Sequence, residues 1–201
     1  ASHAGYYPGA KVMTMKVVFE KESLKLLGAQ IVGLEGVDKR LDVLATAIHC
    51  GMKTEIIKYL DLSYVPSFSS AKDPVNMAGF MIENISKGMI KQYHWDEVKD
   101  LPRDGSVTLL DTRTAYEYKS GHIDGYINIP VDDLRDQLNE LDRSKPVYVI
   151  CQSGLRSYIA CRILSQNGFD CYNFSGGYRF YASVIKEKEM SEYTYPCGME
   201  K

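Results

Sequence analysis

Apolar positions along the chain change period about midway. From Val12 to Glu20 apolar and polar residues largely alternate, a polar break follows at Lys21-Glu22-Ser23, and a second such run extends from Leu24 to Val32, which predicts a β-hairpin. Leu41, Leu44, Ala45 and Ile48 then recur at helical spacing, predicting a helix capped by Asp38 and stopped by Gly51. Thr54 is placed to cap a second short helix through Leu60. The stretch from Tyr64 to Ser70 is irregular by its proline and serines, and Asp73-Pro74 opens a third helix through Ser86, with proline in the first turn. This half reads as α+β.

After Gly88–Trp95, taken as the linker, short apolar runs alternate with helical segments. Strands are expected at Val107–Leu110, Tyr126–Ile129, Pro146–Ile150 and Cys171–Phe174. Between and after them come a helical turn from Thr114 to Tyr118 and a helix from Val131 to Leu138. A helix around Tyr158–Leu164 buries Ile159, Ile163 and Leu164 and stops at Gly168, and a last helix runs from Gly177 to Lys188. Alternation of this kind predicts an α/β domain whose parallel sheet is flanked by helices, with ligand-binding loops at the carboxyl ends of the strands. The expected division is into residues 1–87 and 88–201.

Composition narrows the function classes. The 201 residues are 45% hydrophobic and 25% charged, with a formal net charge of -2, which supplies no excess of cations for a nucleic-acid surface. No apolar run is long enough to suggest a membrane span. The five cysteines form an odd set without a CxxC pair, so reduced thiols in a cytoplasmic protein are expected. Cys161 and Cys171 read as packing residues, and Cys197 as an exposed spectator. The four histidines have no ligand-like spacing, and no metal is expected. No Gly-x-Gly-x-x-Gly follows a strand. The chain begins without methionine in what reads as a loop, as a fragment of a longer protein would.

The candidate chemistry lies in Cys151-Gln152-Ser153-Gly154-Leu155-Arg156-Ser157, between an apolar strand and a helix. Unpaired peptide N–H groups and the positive end of the helix dipole favour a thiolate there, and together with Arg156 are expected to lower the thiol's pKa. Gly154 is expected to take a positive φ that turns amides inward. Arg156 either contacts an anionic donor or braces the loop. Cysteine phosphatases have a similar layout with a longer loop. Four residues between Cys151 and Arg156 suit a smaller guest, one sulfur atom held as a persulfide against the peptide N–H groups of Gln152, Ser153, Gly154, Leu155 and Arg156.

Residues from about Tyr93 to Lys188 resemble a rhodanese domain. The motifs are Asp111-Thr112-Arg113, Gly121-His122-Ile123-Asp124-Gly125-Tyr126-Ile127-Asn128-Ile129-Pro130, the Cys151 loop, and Gly176-Gly177-Tyr178. The resemblance implies sulfurtransfer, in which Cys151 takes a sulfane sulfur from a donor and passes it to a nucleophilic acceptor such as a thiol. Asp111 and Arg113 are expected to be structural, Arg113 pairing with Glu117 or Asp124, and His122 and Tyr178 to be packed side chains.

Tyr6-Tyr7-Pro8-Gly9-Ala10, Gly36 to Asp42 and Tyr64 to Asn76 resemble the C-terminal dimerisation domain of flavin-dependent pyridine nucleotide-disulfide oxidoreductases, in particular the coenzyme A-disulfide reductase group with a fused rhodanese domain. That resemblance implies a homodimer in which tyrosines line the partner subunit's disulfide or persulfide site. They correspond to Tyr6 or Tyr7 and to Tyr64. It also implies FAD and NAD(P)H on parts of a longer protein, and coenzyme A persulfide or disulfide as a candidate substrate. Where family members have two prolines after the second-loop tyrosine, this chain has Val65-Pro66-Ser67. A dimerisation and docking module without turnover, and a cysteine phosphatase, are the alternative readings.

Overall fold

The computed structural model describes residues 1–193 and divides at Met89/Ile90 into two units. In the first, β1 (Met13–Phe19) and β2 (Leu26–Gly33) form an antiparallel hairpin. The second strand begins later than the alternation predicts, because Leu24 turns the chain at a φ of 60° that no strand residue adopts. Helices α1 (Val37–His49), α2 (Thr54–Ile57) and α3 (Pro74–Ser86) complete the unit. Its core gathers Leu26, Leu44, Ala47, Ile57 and Val75.

Two helix starts differ from expectation. The N-cap of α1 is Gly36 at φ 65°, with no side-chain cap, and Asp38 lies inside the first turn. Lys53 rather than Thr54 is the N-cap of α2. Thr54 is buried and its N–H donates to Leu24 O at 2.8 Å, so this residue serves tertiary pairing, and the helix ends at Ile57 instead of Leu60. Asp73 caps α3 as expected, within a capping box closed by Asn76.

The second unit is an all-parallel sheet of β3 (Lys91–Tyr93), β4 (Thr108–Asp111), β5 (Ile127–Asn128), β6 (Val147–Ile150) and β7 (Cys171–Phe174), in spatial order β3-β7-β6-β4-β5. Helices α4 (Ala115–Lys119), α5 (Leu155–Gln166) and α6 (Gly177–Tyr193) accompany it. The core joins Tyr93, Val98, Leu109, Ile123, Tyr126, Ile150 and Phe174, with Trp95 packed against it. Burial pushes the Tyr126 phenol up to about 12.

Three expectations are corrected here. The segment read as a linker contains the edge strand β3, which pairs with β7. Residues 131–138 form turns, with bonds such as Asp136 N–H to Asp133 O at 3.1 Å, and only Leu138–Glu140 is helical, as a 3-10 turn. Asp132, Asp133 and Asp136 are weak helix formers, and Leu134 alone is fully buried there. On α5, Ile159 is 41% exposed while Ala160, Cys161, Ile163 and Leu164 are buried. Cys197 lies outside the described residues. Among those described, no helix is long and apolar enough to cross a membrane.

Candidate active site

Register places the motif residues of the second unit at one edge. Asp111, at the end of β4, lies opposite Ile150, at the end of β6, and Tyr93 on β3 lies opposite Phe174 on β7. The segments that follow β4, β6 and β7 therefore leave the same carboxyl edge, and they lead to Arg113, Cys151 and, in the first turn of α6, Tyr178.

Cys151 follows the central strand β6 and is buried, with 1% of its surface exposed. Its Sγ accepts the Gly154 peptide N–H at 3.1 Å and the Ser157 hydroxyl at 3.2 Å. The hydrogen bonds to sulfur thus come from one amide and one hydroxyl rather than from successive amides. Ser157 is the contact that spacing alone did not single out. Gly154 has φ 111° and is the N-cap of α5. The helix starts at Leu155 rather than Tyr158, so Leu155 and Arg156 belong to its first turn. Ser153 and Leu155 are exposed, and Gln152 is half-buried.

Two arginines approach the loop, and each is bound to a carboxylate. Arg156 forms a bidentate pair with Glu117, both contacts at 2.7 Å. The Arg156 hydrogen bonds hold Glu117 down at about 2 against the opposing pull of burial, helped by Thr114, whose peptide N–H reaches the same carboxylate at 2.9 Å. Thr114 and Glu117 form the capping box of α4. Its Thr-x-x-Glu pattern was readable in the sequence, but its consequence for Arg156 was not.

Arg113 pairs with Asp111, not with Glu117 or Asp124. Its Nε lies 3.1 and 3.0 Å from the two carboxylate oxygens and its Nη2 2.7 Å from Oδ2, with both side chains almost fully buried. The same guanidinium donates to Gly121 O at 2.7 Å and to Gln152 Oε1 at 3.4 Å, and lies 3.9 Å over the Tyr178 ring. The start of α6 closes over the loop: Tyr178 N–H donates to Cys151 O at 2.8 Å and Arg179 N–H to Gln152 O at 3.2 Å. Gly177 permits this approach, since a Cβ there would lie 2.5 Å from Ser153 N.

His122 is exposed, stacked on Tyr118 at 4.0 Å, with Nδ1 3.1 Å from Tyr118 O. It is hydrogen-bonded as expected, but at the surface. Cys161 and Cys171 are buried free thiols, and the Cys171 Sγ–H donates to Cys161 O at 3.2 Å.

The first unit holds the tyrosines. Tyr6 Oη lies 3.0 Å from Tyr64 Oη, with both side chains exposed. This bond and partial burial raise the Tyr64 pKa. Tyr7 instead meets the His3 ring edge-on at 5.8 Å. Loop stitching brings Tyr6 and Tyr64 together: Ala4 N–H is shared between Pro66 O at 3.2 Å and Ser69 O at 3.0 Å. Beneath both loops Arg40 donates to Ser2 O at 2.7 Å and to Asp73, with Nη2 2.9 Å from Oδ2. Burial pushes the Asp73 carboxyl up, but Arg40, the Val75 N–H and the Ser69 hydroxyl together hold it below its usual range. Arg40 lies within the Gly36 to Asp42 motif, but nothing in the sequence pattern marked its bracing role.

Comparison with known proteins matches both units. The family model described as the rhodanese-like domain matches residues 94–183. That of the pyridine nucleotide-disulphide oxidoreductase dimerisation domain matches residues 1–75. The reduced Bacillus anthracis CoADR-RHD is similar at 45% identity and a TM-score of 0.89, over 92% of this chain and 33% of that one. The NAD-dependent persulfide reductase from A. fulgidus is similar at 37% identity and a TM-score of 0.80, over 89% of this chain and 32% of that one. The coenzyme A disulfide reductase of Staphylococcus epidermidis is 40% identical over 79 residues, 39% of this chain. The chain spans 18% of that enzyme's length.

Proposed function

Because the chain belongs to the proteins in which a pyridine nucleotide-disulphide oxidoreductase dimerisation domain precedes a rhodanese-like domain, we propose that its second unit is a sulfurtransferase acting through Cys151. The observation that carries this reading is the Cys151 sulfur at the carboxyl edge of the sheet, met by the Gly154 N–H at 3.1 Å and the Ser157 hydroxyl at 3.2 Å. Cys151, as thiolate, attacks the outer sulfur of a donor. A new S–S bond forms on Cys151, the donor's S–S bond breaks, and its remaining part leaves with the electron pair. A thiolate or cyanide then takes the outer sulfur, and the Cys151 thiolate is regenerated.

The first unit, in this reading, joins two copies of a longer flavoprotein in a reducing cytoplasm. Tyr6 and Tyr64, with Tyr7 nearby, contribute to the partner's disulfide or persulfide site. FAD and NAD(P)H belong, in this reading, to the remainder of that polypeptide, as the family of the dimerisation domain implies. The relatives' names suggest coenzyme A disulfide or a persulfide as substrate, and coenzyme A persulfide combines the two. Intact mass after incubation with polysulfide tests the central step: one added sulfur on the chain, lost in Cys151→Ser, is expected. An unmodified wild-type chain leaves the docking-module reading.

A further inference from the structure

Arg113 and Arg156 at the loop of Cys151 are each paired with a carboxylate, and the outer pair, Arg156 with Glu117, is the more exposed. Arg156 and Glu117 are about one third exposed, at 31% and 28%, whereas Arg113 and Asp111 are buried. Arg156 is in the first turn of α5, directly before Ser157, whose hydroxyl touches the Cys151 sulfur at 3.2 Å. Two 2.7 Å contacts to Glu117 occupy both terminal nitrogens of its guanidinium. Glu117 is fixed in turn by the peptide N–H and the hydroxyl of Thr114, each at 2.9 Å, so the carboxylate is not free to swing away. A charge that a lone arginine would offer to a donor's anionic end is therefore balanced in place.

We propose that Glu117 is a specificity-determining residue that cancels Arg156 and so selects persulfide donors over the dianion thiosulfate. This rests on the sulfurtransferase reading of Cys151. A persulfide brings at most one negative charge, and its protonated form RSSH is the one whose outer sulfur the Cys151 thiolate takes: RS⁻ leaves, and the proton ends on RS⁻ as RSH, with the Cys151 persulfide anionic. Thiosulfate reaches the same Cys151 persulfide by releasing sulfite dianion, so its departing group carries two negative charges. A cation near the sulfur stabilises that group, and Glu117 holds the guanidinium of Arg156, whose charge interacts with Cys151. The gate differs from a bracing role, which would affect both donors alike.

The test compares second-order rates of Cys151 persulfidation, read by intact mass, with thiosulfate and with cysteine persulfide. Glu117→Gln keeps an oxygen for the Thr114 cap but removes the charge. The thiosulfate-to-persulfide rate ratio is expected to rise about ten- to hundredfold, the span of one hydrogen bond to a charged group. The double variant E117Q/R156Q is expected to lose that gain. An unchanged or lower ratio in E117Q overturns the proposal. So does a gain that survives in the double variant, which would move the effect to another cation such as Arg179, whose N–H is bound to Gln152 O. A measurement on the wild type needs no variant: its thiosulfate rate is expected to change less than about twofold as salt shortens the Debye length from about 30 to 8 Å, and a tenfold fall overturns the proposal. If the wild type accepts sulfur from neither donor, the sulfurtransferase reading itself fails. If it accepts persulfide sulfur with no shift in ratio on Glu117→Gln, only the gate fails.

Discussion

Removing the Arg113 guanidinium while keeping its length, as in Arg113→Met, tests whether the buried pair beneath the cysteine loop holds the second unit together. Asp111 would remain in place, fully buried, with the Arg113 peptide N–H at 2.9 Å as its remaining named partner. Breaking one side of such a pair costs about 3–5 kcal/mol, and that surviving N–H argues for the lower end. With a urea m-value of about 1–1.5 kcal/mol/M for a unit of this size, the unfolding midpoint should fall by about 2–3 M. Trp95, the single tryptophan, packs against this unit's core, so its fluorescence reports the transition. The double variant D111N/R113M removes the stranded charge and should recover part of the loss. A midpoint shift in R113M under about 0.7 M, equal to roughly 1 kcal/mol, would refute the argument. A double variant less stable than R113M would refute it too, because the cost would then come from lost packing over Tyr178 rather than from an unpaired carboxylate.

Gly177→Ala is expected to lower the persulfidation rate at least about tenfold and to destabilise the unit by about 2 kcal/mol, because φ is 72° and the new Cβ would meet Gln152 O at 2.6 Å. Wild-type rate and melting temperature together would show that α6 does not need this approach. Glu117 is expected to titrate near 2 by carboxyl-carbon NMR. Since its folded pKa lies below the unfolded 4.5, its contribution to stability is complete above about pH 4.5 and is lost as pH falls through about 2. A midpoint of 4 or higher would mean that the Arg156 pair does not persist in solution. Tyr64→Phe removes an exposed 3.0 Å bond to Tyr6 and should change stability by less than about 0.5 kcal/mol in thermal melts. A larger loss would make the pair structural.

What the sequence revealed and what it concealed follow from the range of the interactions. Local signals marked these elements: helical spacing α1, the Asp73-Pro74 start α3, and short apolar runs β6 and β7, all properties of neighbouring residues. Three residues, Lys91–Tyr93, hide a strand because its pairing partner, β7, is distant in the chain and its pattern is too short to have a period. Ile159 was placed on the wrong face of α5 because the helix starts earlier than its apolar run and packs through Ala160 and Cys161. Cys151, Gly154 and Gly177 were legible as motif positions. Ser157 closed the Cys151 motif and Glu117 was expected to pair with Arg113, but their actual roles were not legible, because the first depends on a hydroxyl rotamer and the second on a salt bridge to Arg156 across the chain.

The same parallel register explains why charge is balanced at this edge. Loops after β4 and β6 emerge side by side, so Asp111, Arg113 and Gln152 become neighbours, and Glu117 on α4 reaches Arg156 on α5. An unpaired buried guanidinium beneath the loop would carry a desolvation cost that Asp111 offsets. No such burial demands the outer pair, which is partly solvated and worth little to folding. Glu117 is already placed by the Thr114 cap, and in the proposed role its reach to Arg156 sets the charge that a donor meets. With both arginines balanced, the contacts left at the sulfur are short-range and nearly uncharged: one peptide N–H and one hydroxyl. These match a transferred sulfur atom better than they match a sulfonate.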